Sequence, residues 1–537
     1  MNSRCCYSPN RRPWMVSSVA IWMVGSLLLC VVGCGPSPDA VGMMDATDLA
    51  TDRDRPKSDV AIAAFCGDCH VFPPPASFPR HRWRHEVETA FQIYHESLRT
   101  DLVPTDLEAT VAWFESHAPD EYDFTLVGTD NTPDTAQRFE KIEIANQPQL
   151  RSVTHLRRLD HGQFLVCDLY SGQVTRMAID QGRIEPTVLT QVADPVHSEP
   201  TDLDGDGEID YLVADMGSIV PADQRYGTLC WIHSNVQGRD AAPQATDAAN
   251  QRWKTELLQT GLSRVCDARP IDYDQDGDQD IVVAEFGFRF EGAIHLLTNT
   301  GLVDGIPQFQ SRVIDDRNGA IHVPPVDING DGRMDIVTLV SQQHETMDVH
   351  LNLGNGQFDT RRIFAAADPA YASSGIEVTD LDQDGDLDIL YTNGDTFDDH
   401  TAKPFHGIAW LENEGEFPFT HHRLTSMPGV YRAVVGDIDL DGDLDIAAVA
   451  LISRSASFDA SDSDRSADDR FDGAIWLEQT APGEFARHRL LSGQCDWASC
   501  ELMDLDGDDD LDLLLGRYDQ DTRMSDPVVY FRNRTNP

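Results

Sequence analysis

Short apolar runs recur along the C-terminal three quarters of the chain, each directly behind an acidic loop: DYLVAD at 210–215, DIVVAE at 280–285, DIVTLV at 335–340, DILYTN at 388–393, DIAAVA at 445–450 and DLLLG at 512–516. The loops follow the pattern D-x-[DN]-x-D-[GD]-x-x-D and begin at Asp202, Asp272, Asp327, Asp380, Asp437 and Asp504, so the units are 53 to 70 residues long. A strand precedes each loop. Behind the apolar run come a third strand (AIHLLTN, VHLNLG, GIAWLEN, AIWLEQ, VVYFRN) and, in most units, a fourth that opens on phenylalanine (FQSRVI, FDTRRI, FTHHRL, FARHRL). Four strands in a unit of this length make a propeller blade.

A further copy lacks the acidic loop: FLVCD at Phe164–Asp168 matches YLVAD at Tyr211–Asp215. That makes seven blades. The last unit stops at Asn533, soon after its third strand, and RFEKIEI at Arg138–Ile144 has the phenylalanine opening of an outer strand. It is expected to complete the last blade and join the two ends of the ring. The expected fold class is therefore mainly β, a seven-bladed β-propeller with calcium loops over 138–537, preceded by a small α-helical domain.

The spacing of the loops dictates their chemistry. Carboxylates at positions 1, 3 and 5 of a tight loop converge on one point, a glycine at position 6 allows the turn, and a carboxylate at position 9 closes a cage of hard oxygen ligands suited to Ca²⁺. An EF-hand would need glutamate at position 12, where this chain has Val213, Val283, Thr338, Tyr391, Ala448 and Leu515. The expected ligand sets are Asp202, Asp204, Asp206 and Asp210; Asp272, Asp274, Asp276 and Asp280; Asp327, Asn329, Asp331 and Asp335; Asp380, Asp382, Asp384 and Asp388; Asp437, Asp439, Asp441 and Asp445; and Asp504, Asp506, Asp508 and Asp512. The last loop departs from the pattern, with Asp509 in place of glycine. On these loops the chain resembles the FG-GAP or VCBS repeat family, the calcium-loop propellers best known from integrin alpha subunits. The resemblance implies fold and calcium, and leaves activity to be argued from sites.

Upstream, FCGDCH places Cys66, Cys69 and His70 in a C-x-x-C-H motif, where two thiols add to haem vinyl groups and the histidine reaches the iron. A zinc ribbon would need a second cysteine pair, and the next cysteine is Cys167. The segment 60–119 resembles a small c-type cytochrome domain carrying haem c. No methionine lies between Met44 and Met177, so the distal ligand is sought among the histidines. In HRWRHEVETAFQIYHESL an apolar helix face runs through Trp83, Val87, Ala90, Phe91, Tyr94 and Leu98, and His95 continues the series from Phe91. His95 is the candidate sixth ligand, the alternative being an ordinary helix-face histidine.

Arg4, Arg11 and Arg12 precede an apolar stretch at 14–32, and VVGC at Val31–Cys34 resembles a bacterial lipobox, with an uncleaved anchor helix as the alternative. The expected organisation is a leader at 1–34, a flexible tether at 35–59, the cytochrome domain at 60–119, a linker at 120–137 and the propeller at 138–537. The protein is expected to be an exported, membrane-anchored lipoprotein of the periplasm or cell surface, where haem attachment and calcium occupancy belong. The formal charge of −50 argues against nucleic acid as a partner. Cys495 and Cys500 are close enough in sequence to pair.

Counting back from each loop locates a second constellation. At offsets −3 and −5 from loop position 1 stand Glu199 and His197, Arg269 and Asp267, Pro324 and His322, Glu377 and Gly375, Val434 and Arg432, and Glu501 and Ser499. Strand alternation puts this set on one side, as a polar ring at the channel end opposite the calcium loops. The loops at 341–345, 392–400 and 403–407 add His344, Glu345, Asp395, Asp398, His400 and His406 and are expected at the same mouth. His197, Asp267, His322, His344, Glu345, His406 and Arg432 are the catalytic candidates, and a metal held by His322, His344 and His406 would mark an enzyme. Three readings follow: haem-linked electron transfer with a propeller that binds, and in its enzymatic form oxidises, a small polar or carbohydrate ligand; a binding or adhesion module with an accessory cytochrome that serves a redox partner protein; and a propeller sugar lyase resembling aldos-2-ulose dehydratase.

Overall fold

The computed structural model describes residues 57–128, 138–180, 182–234, 252–397, 399–453, 470–518 and 526–535. The leader, Cys34, most of the tether, 129–137 and Asp398 lie outside the described residues. Among the described residues no helix is long and apolar enough to cross a membrane.

Seven antiparallel sheets follow one another along the chain, each a meander of four sequential strands apart from the split inner strand of blade 4 and the outer strand of blade 7. The innermost strands are Val153–Arg158, Pro195–Thr201, Val265–Ile271, Ala320–His322 continued by Pro325–Val326, Ser373–Thr379, Val430–Gly436 and Trp497–Met503. These strands contact one another around the axis. The second strands of blades 2 to 7 are buried at all six positions, which is why they read as continuous apolar runs: both faces pack against neighbouring blades.

The ring closes as the sequence predicts. Phe139–Ile142 pairs antiparallel with Val528–Asn533, with Phe139 opposite Asn533 and Ile142 opposite Tyr530, so one end of the propeller supplies the outer strand of the other. Arg138 lies over the Trp476 ring of blade 6 at 4.9 Å and fixes the approach to that strand.

Three helices precede the propeller: α1 (Lys57–Cys66), α2 (Trp83–Glu96) and α3 (Leu107–His117). Asp106 caps α3 by accepting the Ala109 N–H at 2.9 Å. Trp83 stacks on Phe114 at 4.0 Å, and Val87, Phe91, Ile62 and Val111 complete a small core. The predicted apolar face is real through Phe91, but α2 ends at Glu96 because Leu98 adopts a left-handed backbone (φ 55°) and turns outward. α1 begins three residues before the expected domain boundary. The first part of the expected linker is packed: Tyr122 donates to Ser77 O and Phe124 meets Phe471 of blade 6 at 5.1 Å. No disulfide joins Cys495 and Cys500, which belong to different core clusters, so the local pairing open to them in sequence is not made.

Candidate functional site

Every inner strand carries a β-bulge at one equivalent position: between Val153 and His155, Pro195 and His197, Val265 and Asp267, Ala320 and His322, Ser373 and Gly375, Val430 and Arg432, and Trp497 and Ser499. The residue after the bulge is the −5 residue in each blade. A bulge re-aims the side chain that follows it, and sevenfold repetition turns that local kink into a ring. Blade 1, with no acidic loop to count from, adds His155 and Arg157, which counting back from the loops does not reach. Pairing Arg158 with Phe164, as Pro200 pairs with Tyr211, would have carried the register to them.

The ring is an interlocked charge network. Arg269 Nη1 donates to Glu199 Oε1 at 2.7 Å and its Nε to Asp267 Oδ1 at 2.9 Å; Arg157 Nε is 3.0 Å from Glu199 Oε2. His197 Nε2 lies 2.8 Å from Glu199 Oε1 and 3.2 Å from Asp267 Oδ1, and its ring is 4.0 Å from that of His155. Across the channel Arg432 Nη2 donates to Glu377 Oε2 at 2.6 Å. Arg157, Arg269 and Arg432 thus face four carboxyl groups, those of Glu199, Asp267, Glu377 and Glu501. Burial alone would push the Asp267 and Glu199 carboxyls up, but Arg269 and His197 outweigh it, holding Asp267 well below the usual range and Glu199 at about 2. Burial drives the His155 imidazole well down and the His197 imidazole down.

Beside this end of the channel, Leu451, Ala498 and Tyr518 form a small apolar cluster with Phe397 and Tyr431. The Phe397 ring lies 6.3 Å from Tyr431 and 5.7 Å from Tyr518. Tyr431 and Ala498 are the bulge residues of blades 6 and 7. An aromatic wall next to fixed hydrogen-bonding groups suits a ligand with an apolar face and a polar edge.

The other candidates are not drawn together. His322 Nδ1 is 3.7 Å from Asp267 Oδ2, whereas His344 Nε2 meets Asn318 Oδ1 at 3.2 Å. His406 is buried, and its Nδ1 accepts the Lys403 and Gly429 N–H groups. Among the described residues no group of three metal-ligating atoms includes a histidine. Glu345 accepts from Ser373 N at 3.1 Å and from the Ser373 hydroxyl, and burial pushes its carboxyl up to about 8. These loop residues brace blades 4 and 5. These loops join second to third strands and so lie at the end where the −5 residues emerge, but the polar groups of His344, Glu345 and His406 are engaged by neighbouring residues.

At the opposite end five of the six acidic loops bring three carboxylates together. Carboxylate oxygens of Asp202, Asp204 and Asp206 lie within 4.8 Å of one another, as do those of Asp272, Asp274 and Asp276, Asp380, Asp382 and Asp388, Asp437, Asp439 and Asp441, and Asp504, Asp506 and Asp512. Blade 4 has Asn329 in its set, and its Asp331 N–H donates to Asp327 and Asn329 at 3.0 Å. One oxygen of Asp272, Asp380 and Asp437 is buried with no partner, a costly arrangement that a cation would relieve. Asp509 adopts φ 69°, in the same left-handed region as Gly207 at 83° and Gly332 at 85°, so the last loop keeps the turn without glycine. The position-9 carboxylates also clasp their blades. Asp280, Asp335, Asp388, Asp445 and Asp512 each accept a backbone N–H in or next to the blade's third strand, from Asn299, Asn352, Asn413, Gln479 and Asn533, at 2.6–2.8 Å. Sequence spacing alone does not reveal this clasp.

In the helical domain Cys66 and Cys69 are unbonded, and His70 Nδ1 meets Val71 O at 2.7 Å, which leaves Nε2 free to ligate. Arg99 ties Cys69 and Asp68 to the segment after α2, where Leu98 and Val103 are exposed. His95 is exposed beside Tyr94. The domain docks on one end of the propeller: Ser77 Oγ donates to Asp368 Oδ2 at 2.7 Å, Arg82 Nη2 to Asp399 O at 2.6 Å, and Glu96 pairs with Arg289. Lys403, fully buried, reaches Asp399 and Ala370 O and lies 4.9 Å from the Phe78 ring. All these contacts use loops between second and third strands or between blades. The acidic loops join first to second strands, so the helical domain occupies the end where the −5 residues emerge.

The fold and these loops define the class: a seven-bladed β-propeller with FG-GAP-like repeats. A family model described as FG-GAP-like repeat matches residues 272–338 and 327–391. No curated protein matches. Similar solved structures include an ancestral GH74 enzyme (10% identity, TM-score 0.46, covering 75% of this chain and 51% of that one), Kuenenia stuttgartiensis hydrazine synthase (13%, 0.42, 69% and 94%) and a luciferin-regenerating enzyme (10%, 0.38, 66% and 97%). The chain thus spans about half the length of the GH74 enzyme.

Proposed function

We propose that this is an exported haem c electron-transfer protein whose calcium-stabilised propeller binds a small polar or carbohydrate ligand at the channel end beneath the helical domain. The observation that carries the reading is the docking of the segment bearing Cys66, Cys69 and His70 on the end where His197, Asp267 and Arg432 emerge. Cys66 and Cys69 would hold the haem with His70 as axial ligand, and haem supplies one-electron exchange with a redox partner protein. The acidic loops would hold Ca²⁺ away from that end, as braces for each blade. The fixed donors and acceptors of the ring favour a hydrogen-bonding ligand, for which Phe397, Tyr431 and Tyr518 supply an apolar wall. The separate surroundings of His322, His344 and His406 favour ligand binding over a metal-dependent reaction, and an N-terminal lipid at Cys34 would anchor the protein to a membrane.

The test is expression with haem-maturation machinery followed by spectroscopy and sugar titration. A covalent c-type spectrum that disappears in Cys66→Ser and Cys69→Ser, and a haem spectrum or reduction level that responds to added sugars, are expected. Absence of covalent haem would remove the electron-transfer reading. Loss of the low-spin spectrum in His95→Ala would identify the sixth ligand.

A further inference from the structure

The inner-strand ring divides into groups that hold one another and groups whose hydrogen-bonding capacity is unused. Arg269 is tied through Nε to Asp267 and through Nη1 to Glu199, and Arg432 donates both Nη groups, to Ile376 O at 2.8 Å and to Glu377 Oε2. His197 sits between Glu199 and Asp267, and the bare Nδ1 of His322 is buried 3.7 Å from Asp267, out of a ligand's reach. Blade 1 is different. Arg157 approaches Glu199 through Nε, its two Nη groups make no hydrogen bond among the described residues, and its side chain is 38% exposed. His155 accepts the Ser198 N–H at Nδ1, which puts the ring proton on Nε2, and Nε2 has no hydrogen-bond partner among the described residues. The two stand two residues apart on one strand and so face the same side. On other inner strands Glu377 and Glu501 each commit Oε2, to Arg432 and to the Arg158 N–H, and leave Oε1 open.

We propose that His155 and Arg157 are the ligand-contacting donors of the channel site, holding an uncharged polyhydroxylated molecule by its oxygens while Glu377 and Glu501 accept from its hydroxyls. The assignment rests on the ligand-binding reading above and names the residues that carry it. A guanidinium with both Nη groups free presents a planar pair of donors that two neighbouring oxygens can accept together. Charge selects among ligands that offer such oxygens. Three guanidinium groups stand against four carboxyl groups in the ring, so a ligand carboxylate would add repulsion where screening is weak, whereas a hydroxyl, carbonyl or ring oxygen accepts the same N–H groups without it. Arg157 Nε and His155 Nδ1 are already anchored on Glu199 and Ser198, so little side-chain freedom is lost when the ligand arrives. Sequence position hides this pair, because blade 1 has no acidic loop to count from.

The test is calorimetric titration of the full chain with glucose, galactose, mannose and xylose, with gluconate as the anionic counterpart. Saturable binding of at least one neutral sugar, tighter than gluconate, is expected. Affinity should fall at least about tenfold in Arg157→Lys, which keeps a charge beside Glu199 but loses the paired Nη donors, and in His155→Asn, which still offers an acceptor to the Ser198 N–H but no imidazole donor to the channel. Melting curves establish that each variant is folded; Arg157→Lys keeps the test usable if His155→Asn is not. Binding lost in Tyr431→Ala but undiminished in Arg157→Lys and His155→Asn overturns this assignment and leaves the channel reading standing. Gluconate binding tighter than every neutral sugar overturns the ligand class. No binding of any sugar removes the assignment and the carbohydrate reading together, while the covalent haem spectrum is judged independently.

Discussion

Arg269 on the inner strand of blade 3 holds Glu199 of blade 2 and Asp267 of its own strand at once, at 2.7 and 2.9 Å. One guanidinium therefore compensates two carboxylates that are nearly or wholly buried. Arg269→Met should strip Asp267 of its arginine, leave Glu199 to Arg157 alone and destabilise the protein by about 3–5 kcal/mol, because removing one partner of a buried ionic network strands the other. The shift in the urea midpoint at constant m-value measures this.

Glu345 sets a pH dependence. Its carboxyl is pushed up to about 8 in the folded protein by burial, against an ordinary value of 4.5. The folded state thus holds a proton that the unfolded chain has released, and this contribution to stability is full below about 4.5 and lost as pH rises through about 8. Glu345→Gln should flatten the decline across that window by a few kcal/mol, on the order of the pKa difference. Thermal melts of both proteins at a series of pH values check it.

Calcium removal is the third case. If the acidic loops are occupied, each site at a hundredfold excess over its Kd contributes about 2.7 kcal/mol. Chelation should lower the melting temperature markedly and reversibly, and Asp272→Asn should reduce the titrated stoichiometry by one. A melting curve indifferent to chelator and Ca²⁺ would mean that the aspartate clusters are structural turns only.

Lys403 links the two domains. Fully buried, it engages Asp399 and Ala370 O and covers the Phe78 ring. Lys403→Met should raise hydrogen exchange across 57–128 about tenfold, equivalent to ~1.4 kcal/mol of docking, while exchange in the inner strands stays slow. Uniform change throughout the chain would show instead that Lys403 supports the propeller core.

Seven blades, their strand order and the closing strand at Phe139–Ile142 were legible in the sequence because a repeat imposes the same apolar run and turn every 53 to 70 residues. Counting from the loops also found His197, Asp267 and Arg432, since strand register propagates at a fixed two-residue period. Blade 1 escaped that count, so His155 and Arg157 emerged only from the paired strands. The partners of the histidines at 344 and 406 were illegible for a related reason: sequence separation from the repeat marks a loop, but only packing shows that His406 accepts backbone N–H groups and that His344 meets Asn318.

By itself, then, the chain determined what depends on local spacing: the blades, the acidic loops and the C-x-x-C-H motif. The tertiary structure decided what depends on which surfaces meet. It aligned seven bulges into one ring and docked the helical domain on the end opposite the acidic loops. Such contacts join residues hundreds of positions apart, as Arg82 and Asp399 are, and no periodicity encodes them.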